Sequence, residues 1–327
     1  METNFAHVNR RSFFTRAATL LAAGSSLAAP PLQADPVAEL ASFSVFDKAD
    51  LAQLRGDARA VRGAPMNTPR FLSVQTVWVA PGTPAQQLQA LRQWNPSRHS
   101  ELRVHLHSGG SNFSRLAQAP NNAAVQWLVT ATTSKSPDLQ LSRAEAAKLP
   151  ANGSGMSGPV ADFWVGVLSA RSSIGPTGQP PYEHGGPTIK PGAEINGMLS
   201  QQGKIQKQFS GLLGGRGDQF WELLEVENKG VLVLGTSYQR SGAGGTQQAG
   251  DVLYYASGGF YAAITLHQMW PVQVEGKPAT LIWRGDMTSS ASVGDLRGVE
   301  RMGSESVMMR DISRAVRLFR RDSAGIR

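Results

Sequence analysis

The last third of this 327-residue chain is built from short apolar segments separated by turn residues. Residues 220–227 and 231–238 are rich in β-branched and aromatic side chains and flank an Asn-Lys-Gly turn. Similar segments follow at 252–256, 259–272 and 279–286, the last after a Glu-Gly-Lys-Pro turn. Strand-forming segments joined by tight turns predict an antiparallel meander. The glycine-rich stretch within this region, 241–250, is expected to be a flexible loop.

A closing helix is predicted over residues 304–320. Its apolar residues recur at helical spacing and form one stripe, made of Met308, Ile312, Ala315, Val316 and Phe319. Arginines occupy the rest of the helix surface. Because a sheet with one apolar face needs a cover, we expect this stripe to lie on the meander.

A strand, a helix and a second strand are predicted in the N-terminal half. Residues 71–79 favour a strand, and Thr83, Pro84 and Gln86 form a capping box with proline in the first turn. Residues 102–106 alternate between apolar and polar side chains, as in a half-buried strand. Short loops join the three elements, which suggests a βαβ-like unit.

Further helices are predicted near 112–118, 122–131 and 160–170, after Ser142, and before Gly214. Together with the meander they indicate an α+β fold. Turn residues dominate 150–159, which predicts a linker between an α/β N-terminal part (71–149) and an α+β part (160–327), or a loop within one continuous domain. Residues 35–70 are expected to be an irregular lead-in.

The N-terminal segment has the parts of a secretory signal peptide, with basic residues before an apolar run at 17–29 and small residues up to Ala34. The pair Arg10 and Arg11, followed at the third and fourth positions by Phe13 and Phe14, resembles the twin-arginine (Tat) signal. This resemblance implies export of the folded protein by the Tat translocase to the periplasm or beyond. A retained amphipathic helix is the alternative. The apolar run is shorter than a membrane span of about 20 residues, so no permanent span is predicted.

Composition excludes several classes of site. The chain has no cysteine, so it has no disulfide, no thiolate-held metal and no cysteine nucleophile. Its formal net charge is +8, which raises the question of anionic partners. Because export argues against nucleic acid, the expected anions are envelope components such as lipid head groups and cell-wall polymers.

Two histidines are candidate metal ligands. His105 and His107 are two positions apart on a predicted strand, so both rings are expected on one face, with His184 or His267 as a third ligand. The alternative is a solvated strand face beside Arg103.

A long Gly/Pro-rich loop, 172–191, carries Tyr182, Glu183 and His184. An acid, a base and a phenol on a segment able to fold over a cleft are the groups that general acid–base catalysis needs. The same three residues also suit an ordinary exposed loop.

The strand at 259–272 is apolar on both faces and is therefore expected to be central in the sheet. His267 on this strand is either a buried structural histidine or part of a site. If a cleft exists, this strand should be its floor, with Tyr261, Trp270 and Trp283 as candidate ligand-binding residues.

No Gly-x-Ser-x-Gly, Walker, His-Glu-x-x-His or dinucleotide-binding motif occurs, and no cofactor is expected. Residues 35–327 resemble exported bacterial proteins of uncharacterised function, which implies nothing about mechanism. The first hypothesis is a non-catalytic protein that binds a small apolar or amphipathic ligand between the sheet and the closing helix, at a site bordered by the long loop 172–191. The alternatives are a metal-independent hydrolase or lyase that uses a His/Glu/Tyr constellation, and an envelope interaction protein. Whether the protein is an enzyme stays open at this stage.

Overall fold

Eight strands form one antiparallel sheet in the computed structural model, which describes residues 35–294, 296 and 298–325. Their spatial order is β1-β2-β8-β7-β6-β5-β4-β3. The strands are β1 (Arg59–Arg62), β2 (Phe71–Pro81), β3 (Val104–Gly109), β4 (Asp218–Val226), β5 (Lys229–Ser241), β6 (Gln247–Ala256), β7 (Ala262–Val274) and β8 (Lys277–Ser289). The signal-like segment, with Arg10, Arg11, Phe13 and Phe14, lies outside the described residues, so export stays a prediction.

Helices accompany the sheet, as the predicted α+β class requires. They are α1 (Pro36–Phe43), α2 (Leu51–Gly56), α3 (Pro84–Gln93), α4 (Ala123–Thr133), α5 (Arg143–Ala146), α6 (Gly158–Ile174), α7 (Pro191–Ser200), α8 (Gly203–Gln208), α9 (Ala291–Gly294) and α10 (Gly298–Ser323). Within the described residues, no helix has the length and apolar character that crossing a membrane requires.

The predicted meander is confirmed, since β4 to β8 pair in chain order. Both of its tightest turns have two residues with positive φ, Glu227 and Asn228 in one and Glu275 and Gly276 in the other. This geometry matches the right-handed twist of the flanking strands.

The predicted flexible loop at 241–250 is shorter than expected. Gln247 to Gly250 belong to β6 and pair with both β5 and β7. Gly250 suits a central strand because leucine side chains occupy the space where its Cβ would lie, with Leu266 and Leu213 at 3.1 and 3.0 Å from that position.

The βαβ-like unit needs a correction. Strand, helix and strand occur in the predicted order as β2, α3 and β3, and the Thr83 capping box is present. However, five strands lie between β2 and β3, because β1 and β8 pair with the two edges of β2. Instead of bridging neighbouring strands, α3 packs across β6, β7 and β8.

One face of the sheet, here called the packed face, is covered by helices that include α1, α4, α7 and α8. Its side chains alternate along each strand with those of the other face, and they include Trp221, Trp270 and Trp283, each at most 1% exposed. Phe43 of α1 lies 5.0 Å from Trp283, ring centre to ring centre. This face holds the main hydrophobic core.

The other face, here called the open face, is covered only in part. The predicted stripe of α10 packs on it, with Ile312, Val316 and Phe319 against Trp78 and Ile282. This confirms the closing helix, although α10 begins earlier than predicted. Trp94, which ends α3, donates from Nε1 to Asp322 of α10 at 2.9 Å and so ties the two helices together.

Candidate functional site

A cleft of about 310 Å³ lies on the open face beside α3. Around Val316 and Phe319 the space between the sheet and α10 is filled, with only about 10 Å³ free. The cleft instead lies between the strands and the end of α3, where Leu91 and Trp94 form a wall. Phe220 and Leu253 also line it. Polar side chains on β5 to β8 form the floor, because alternate residues of these strands point to this face.

An arginine–carboxylate pair lies at the floor. Arg284 donates two hydrogen bonds of 2.7 Å to Asp286, and the Thr265 hydroxyl donates to the same carboxylate at 2.9 Å. Burial opposes the charge of Arg284, but attraction to Asp286, the hydrogen bonds with it and attraction to Asp251 outweigh this and raise its pKa. The pair is therefore an ion pair that neutralises itself.

Asp251 is a second carboxylate on the floor of the cleft, and its direct hydrogen bond comes from a hydroxyl and not from an arginine. Ser237 donates to it at 2.5 Å, and no ion pair to Asp251 occurs among the described residues. Burial raises the pKa of Asp251, while the Ser237 hydrogen bond and the charges of Arg92 and Arg284 oppose the rise. Glu222 adds a further, smaller upward effect. The carboxyl group thus holds its proton to a higher pH than an exposed aspartate.

His267 is buried in the floor with 3% exposure. Among the described residues its ring nitrogens have no hydrogen-bond partner, and Nδ1 is fully buried. Burial lowers the pKa of His267 well below its usual value, and the nearby charge of Arg284 lowers it further. The imidazole is therefore neutral at pH 7, with one donor and one acceptor nitrogen that the protein leaves unpaired.

The rim of the cleft carries two more charge pairs. His107 Nδ1 lies 2.8 Å from Glu222 Oε1, and Arg92 donates to Asp218 at 2.6 Å. His107 is half-exposed at the cleft, which leaves its second ring nitrogen available.

The two histidines of the predicted metal pair have separate surroundings. The pairing of β3 with β4 is shifted between Val104 and Leu106, and this bulge interrupts the alternation that a shared face requires. His105 lies 3.3 Å from the side-chain nitrogen of Asn122, which caps α4, and 3.5 Å from Glu225. No group of three or more potential metal ligands occurs in the described part of the chain.

The loop residues Tyr182, Glu183 and His184 lie away from the cleft. The Tyr182 hydroxyl donates to the Tyr261 carbonyl and accepts from the Ala256 amide, both at 3.2 Å, within the core of the packed face. Burial raises the pKa of Tyr182 above its usual range. A carboxylate oxygen of Glu183 accepts from the Arg143 amide, and His184 lies 3.1 Å from the Ser136 carbonyl.

These contacts hold the loop against the packed face, whereas His267 lies on the open face. The structure therefore does not bring Glu183 or His184 together with His267.

The predicted aromatic walls also belong to the packed face. Tyr261 packs beside Tyr182, and Trp270 and Trp283 pack around Phe43. The expected floor is in place, because β7 carries His267, but alternation directs Trp270 to the opposite side.

Several residues that line the cleft were not predicted as site residues, among them Arg92, Phe220, Ser237, Asp251 and Arg284, and neither was Asp286, which pairs with Arg284. For three of these residues the sequence does contain a signal of a functional site. Asp251, Arg284 and Asp286 are charged residues within otherwise apolar strand segments, and charged side chains are rarely buried unless they are paired or functional. The convergence of separate strands could not be read from local patterns.

The search for related proteins covered family models, curated proteins and solved structures, and none matches this chain.

Proposed function

We propose that the cleft binds a small, uncharged amphipathic molecule. The observation that carries this proposal is a pair of polar floor residues beneath apolar walls formed by Trp94 and Phe220. The buried Nδ1 of His267 has no partner among the described residues, and the Asp251 carboxyl has a direct hydrogen bond from Ser237. A volume of about 310 Å³ suits a small ligand. Hydrogen bonds to the floor would orient such a ligand, and the walls would contribute apolar contact.

The charges favour a neutral ligand over an ionic one. Arg92, Arg284 and His107 each have a carboxylate partner within 2.8 Å. An anion would have to compete with these carboxylates, and a cation with the basic groups. The raised pKa of Asp251 and the lowered pKa of His267 both favour the uncharged forms of these two side chains.

The place of action proposed here is the periplasm or the exterior of the cell. The Tat-like segment around Arg10 and Arg11 supports it, with the Tat translocase as the transient partner. In that compartment the ligand would be a molecule that reaches the cell envelope.

Fluorescence titration of the full chain with N-phenyl-1-naphthylamine, a neutral amphipathic probe, tests the binding proposal. We expect saturable binding to the wild-type protein. Leu253→Trp fills the cleft and should weaken binding at least tenfold. Val307→Trp introduces the same indole ring at an exposed position of α10 and should leave the affinity unchanged. Absence of saturable binding, or equal affinities in all three proteins, would contradict the proposal.

An acid–base hydrolase or lyase is the second candidate, and the contact between His107 and Glu222 favours it. A carboxylate that holds one imidazole nitrogen orients the other for proton transfer. Asp251, on the floor of the same cleft, would be the matching proton donor because its pKa is raised. This arrangement replaces the predicted use of Glu183 and His184 with residues that lie together.

Hydrolysis of 4-nitrophenyl acetate offers a direct check on the second candidate. The hydrolase proposal expects turnover that falls at least tenfold in His107→Gln and in Glu222→Gln, while both variants still bind the naphthylamine probe. A rate equal to that of His184→Gln in every variant would exclude these residues from catalysis.

A further inference from the structure

A second cavity, of about 650 Å³, lies where the sheet ends between β2 and β8. The last turns of α10 form one side of it. The end of α2 and the hairpin between β7 and β8 form the others. This cavity is separate from the cleft under α3.

Five basic side chains line the cavity and come from three parts of the chain, namely Arg55, Lys277, Arg317, Arg320 and Arg321. Asp57 is the acidic residue in the lining. Arg55 forms an ion pair with Glu275, and Arg321 lies 3.6 Å from Asp322. The side chains of Lys277 and Arg317 have no ion pair or hydrogen bond among the described residues. The cavity therefore has an excess of positive charge.

Arg320 is held in place without a carboxylate partner in the described part of the chain. Its guanidinium donates to the backbone carbonyls of Arg55 and Gly56, at 2.6 and 3.2 Å. Burial lowers the pKa of Arg320, and attraction to Asp57 offsets this only in part. A partly desolvated guanidinium in a fixed orientation gains more from a bound anion than a fully hydrated one does.

Stabilisation of the helix end accounts for only part of this arrangement. Basic residues in the last turn of α10 interact favourably with the negative end of the helix dipole, which explains Arg320 and Arg321. It does not explain Lys277, which projects from the hairpin between β7 and β8, or Arg317, which lies a turn earlier. A groove of about 340 Å³ along α10 and β1 shares Arg317 and Asp57 with the cavity and extends it past Met309.

We propose that this basic cavity binds a phosphate group, with Lys277, Arg317 and Arg320 as its ligands. Guanidinium groups match the oxygen atoms of phosphate with paired hydrogen bonds, and the ammonium of lysine adds a mobile charge. The groove along α10 would take the remainder of a phosphorylated molecule. The phosphate belongs either to a soluble compound or to a lipid head group, and this site is independent of the ligand proposed for the cleft.

Two probes distinguish the sources, both with the full chain. Inorganic pyrophosphate, followed by calorimetry, represents a soluble phosphate. Vesicles of phosphatidylglycerol, compared with phosphatidylcholine in a flotation assay, represent a lipid. We expect saturable binding to pyrophosphate or selective binding to phosphatidylglycerol, weakened by added salt because the contacts are between charges.

Two double variants that each remove two positive charges test whether binding depends on the cavity or only on net charge. Lys277→Gln with Arg317→Gln removes two cations from the cavity and should weaken binding at least tenfold. Lys135→Gln with Lys148→Gln removes two exposed cations elsewhere and should change affinity less than twofold. Both positions of the first pair are exposed, so a folded variant is expected, and circular dichroism checks it. Failure to bind either probe, or equal losses in the two double variants, would overturn the proposal.

Discussion

The two faces of the sheet share the same strands, yet one buried polar side chain on each, Arg171 and His267, has very different surroundings. On the packed face, Arg171 is 0% exposed and makes hydrogen bonds to Glu145 at 2.8 and 2.6 Å, with others to Gln179 and the Pro180 carbonyl. On the open face, the His267 ring nitrogens have no partner among the described residues. Buried polar groups in native proteins are normally paired. Unpaired buried polar atoms also occur on the packed face, among them Nε1 of Trp221 and of Trp270, so His267 is distinguished by its place in the lining of the cleft.

Covering helices explain the difference. The packed face meets several helices, which fill the space between aromatic side chains. The open face meets α10 mainly over β1 and β2, where its apolar stripe also reaches Met269 and Ile282, and it meets α3 over part of β6, β7 and β8. Alternation places Asp251 and His267 on the side where this cover ends.

The largest expected difference between the faces is in stability. Trp283→Ala removes a fully buried ring that contacts Phe43 and Phe209 and donates to Gln75. We expect it to lower the free energy of unfolding by about 3–5 kcal/mol. Phe220→Ala, at the cleft, should cost about 1 kcal/mol and weaken binding of the naphthylamine probe. Urea unfolding followed by circular dichroism measures both, and similar losses would refute the distinction between the faces.

The next largest change in the free energy of unfolding is expected when a charge is removed from the packed face. Glu145→Gln keeps the capping box at Ser142, since glutamine also serves that position, but leaves Arg171 without its carboxylate. We expect a loss of about 3 kcal/mol. Addition of Arg171→Met should restore part of it, because the unpaired charge is then gone. A double variant less stable than Glu145→Gln would show that packing around Arg171, and not its charge, dominates.

A pH-dependent effect is expected at His267. Its pKa is lower in the native state than in the unfolded chain, where it is about 6.5. The unfolded state therefore binds more protons below that pH, and stability falls as the pH drops from about 6.5 toward the native pKa, by at most about 1.4 kcal/mol per pH unit. His267→Gln should remove this contribution.

Unfolding by urea between pH 5 and 8 measures it. An unchanged slope in His267→Gln would mean that the histidine accepts a proton without cost.

The smallest effect concerns the helix that borders the cleft. Thr83 caps α3 by accepting from the Gln86 amide at 3.3 Å, so Thr83→Ala should cost about 1 kcal/mol and weaken probe binding slightly. Ser157 precedes α6 without a side-chain cap, so Ser157→Ala should change stability by less than about 0.5 kcal/mol. Equal melting temperatures for the two variants would show that capping of α3 does not matter to the open face.

Local patterns predicted the elements better than their partners. The hairpin turns, the stripe of α10 and the capping boxes at Thr83 and Ser142 depend on residues close together in sequence, and all are present. Helix α7, which begins at Pro191, was not predicted because its small residues and glycines resemble the preceding loop. The neighbours of β2 depend on β8, about 200 residues away, which no local signal reports.

Residues of the cleft show the same limit. His267 and its place on a central strand followed from the sequence, but Tyr182 and Glu183 did not join it, because the loop folds over the opposite face. Asp251 was not predicted as a site residue, because its hydrogen bond with Ser237 forms only when β5 pairs with β6.

By itself, the sequence determined which segments become strands and helices, and which side of each is apolar, since these properties follow from neighbouring residues and their period. Only the tertiary structure decided the order of the strands, the face that each helix covers and the side chains that meet in a cleft. Those outcomes depend on burial summed over distant parts of the chain. An alternating strand has two faces, and packing with distant segments decides what each face contacts.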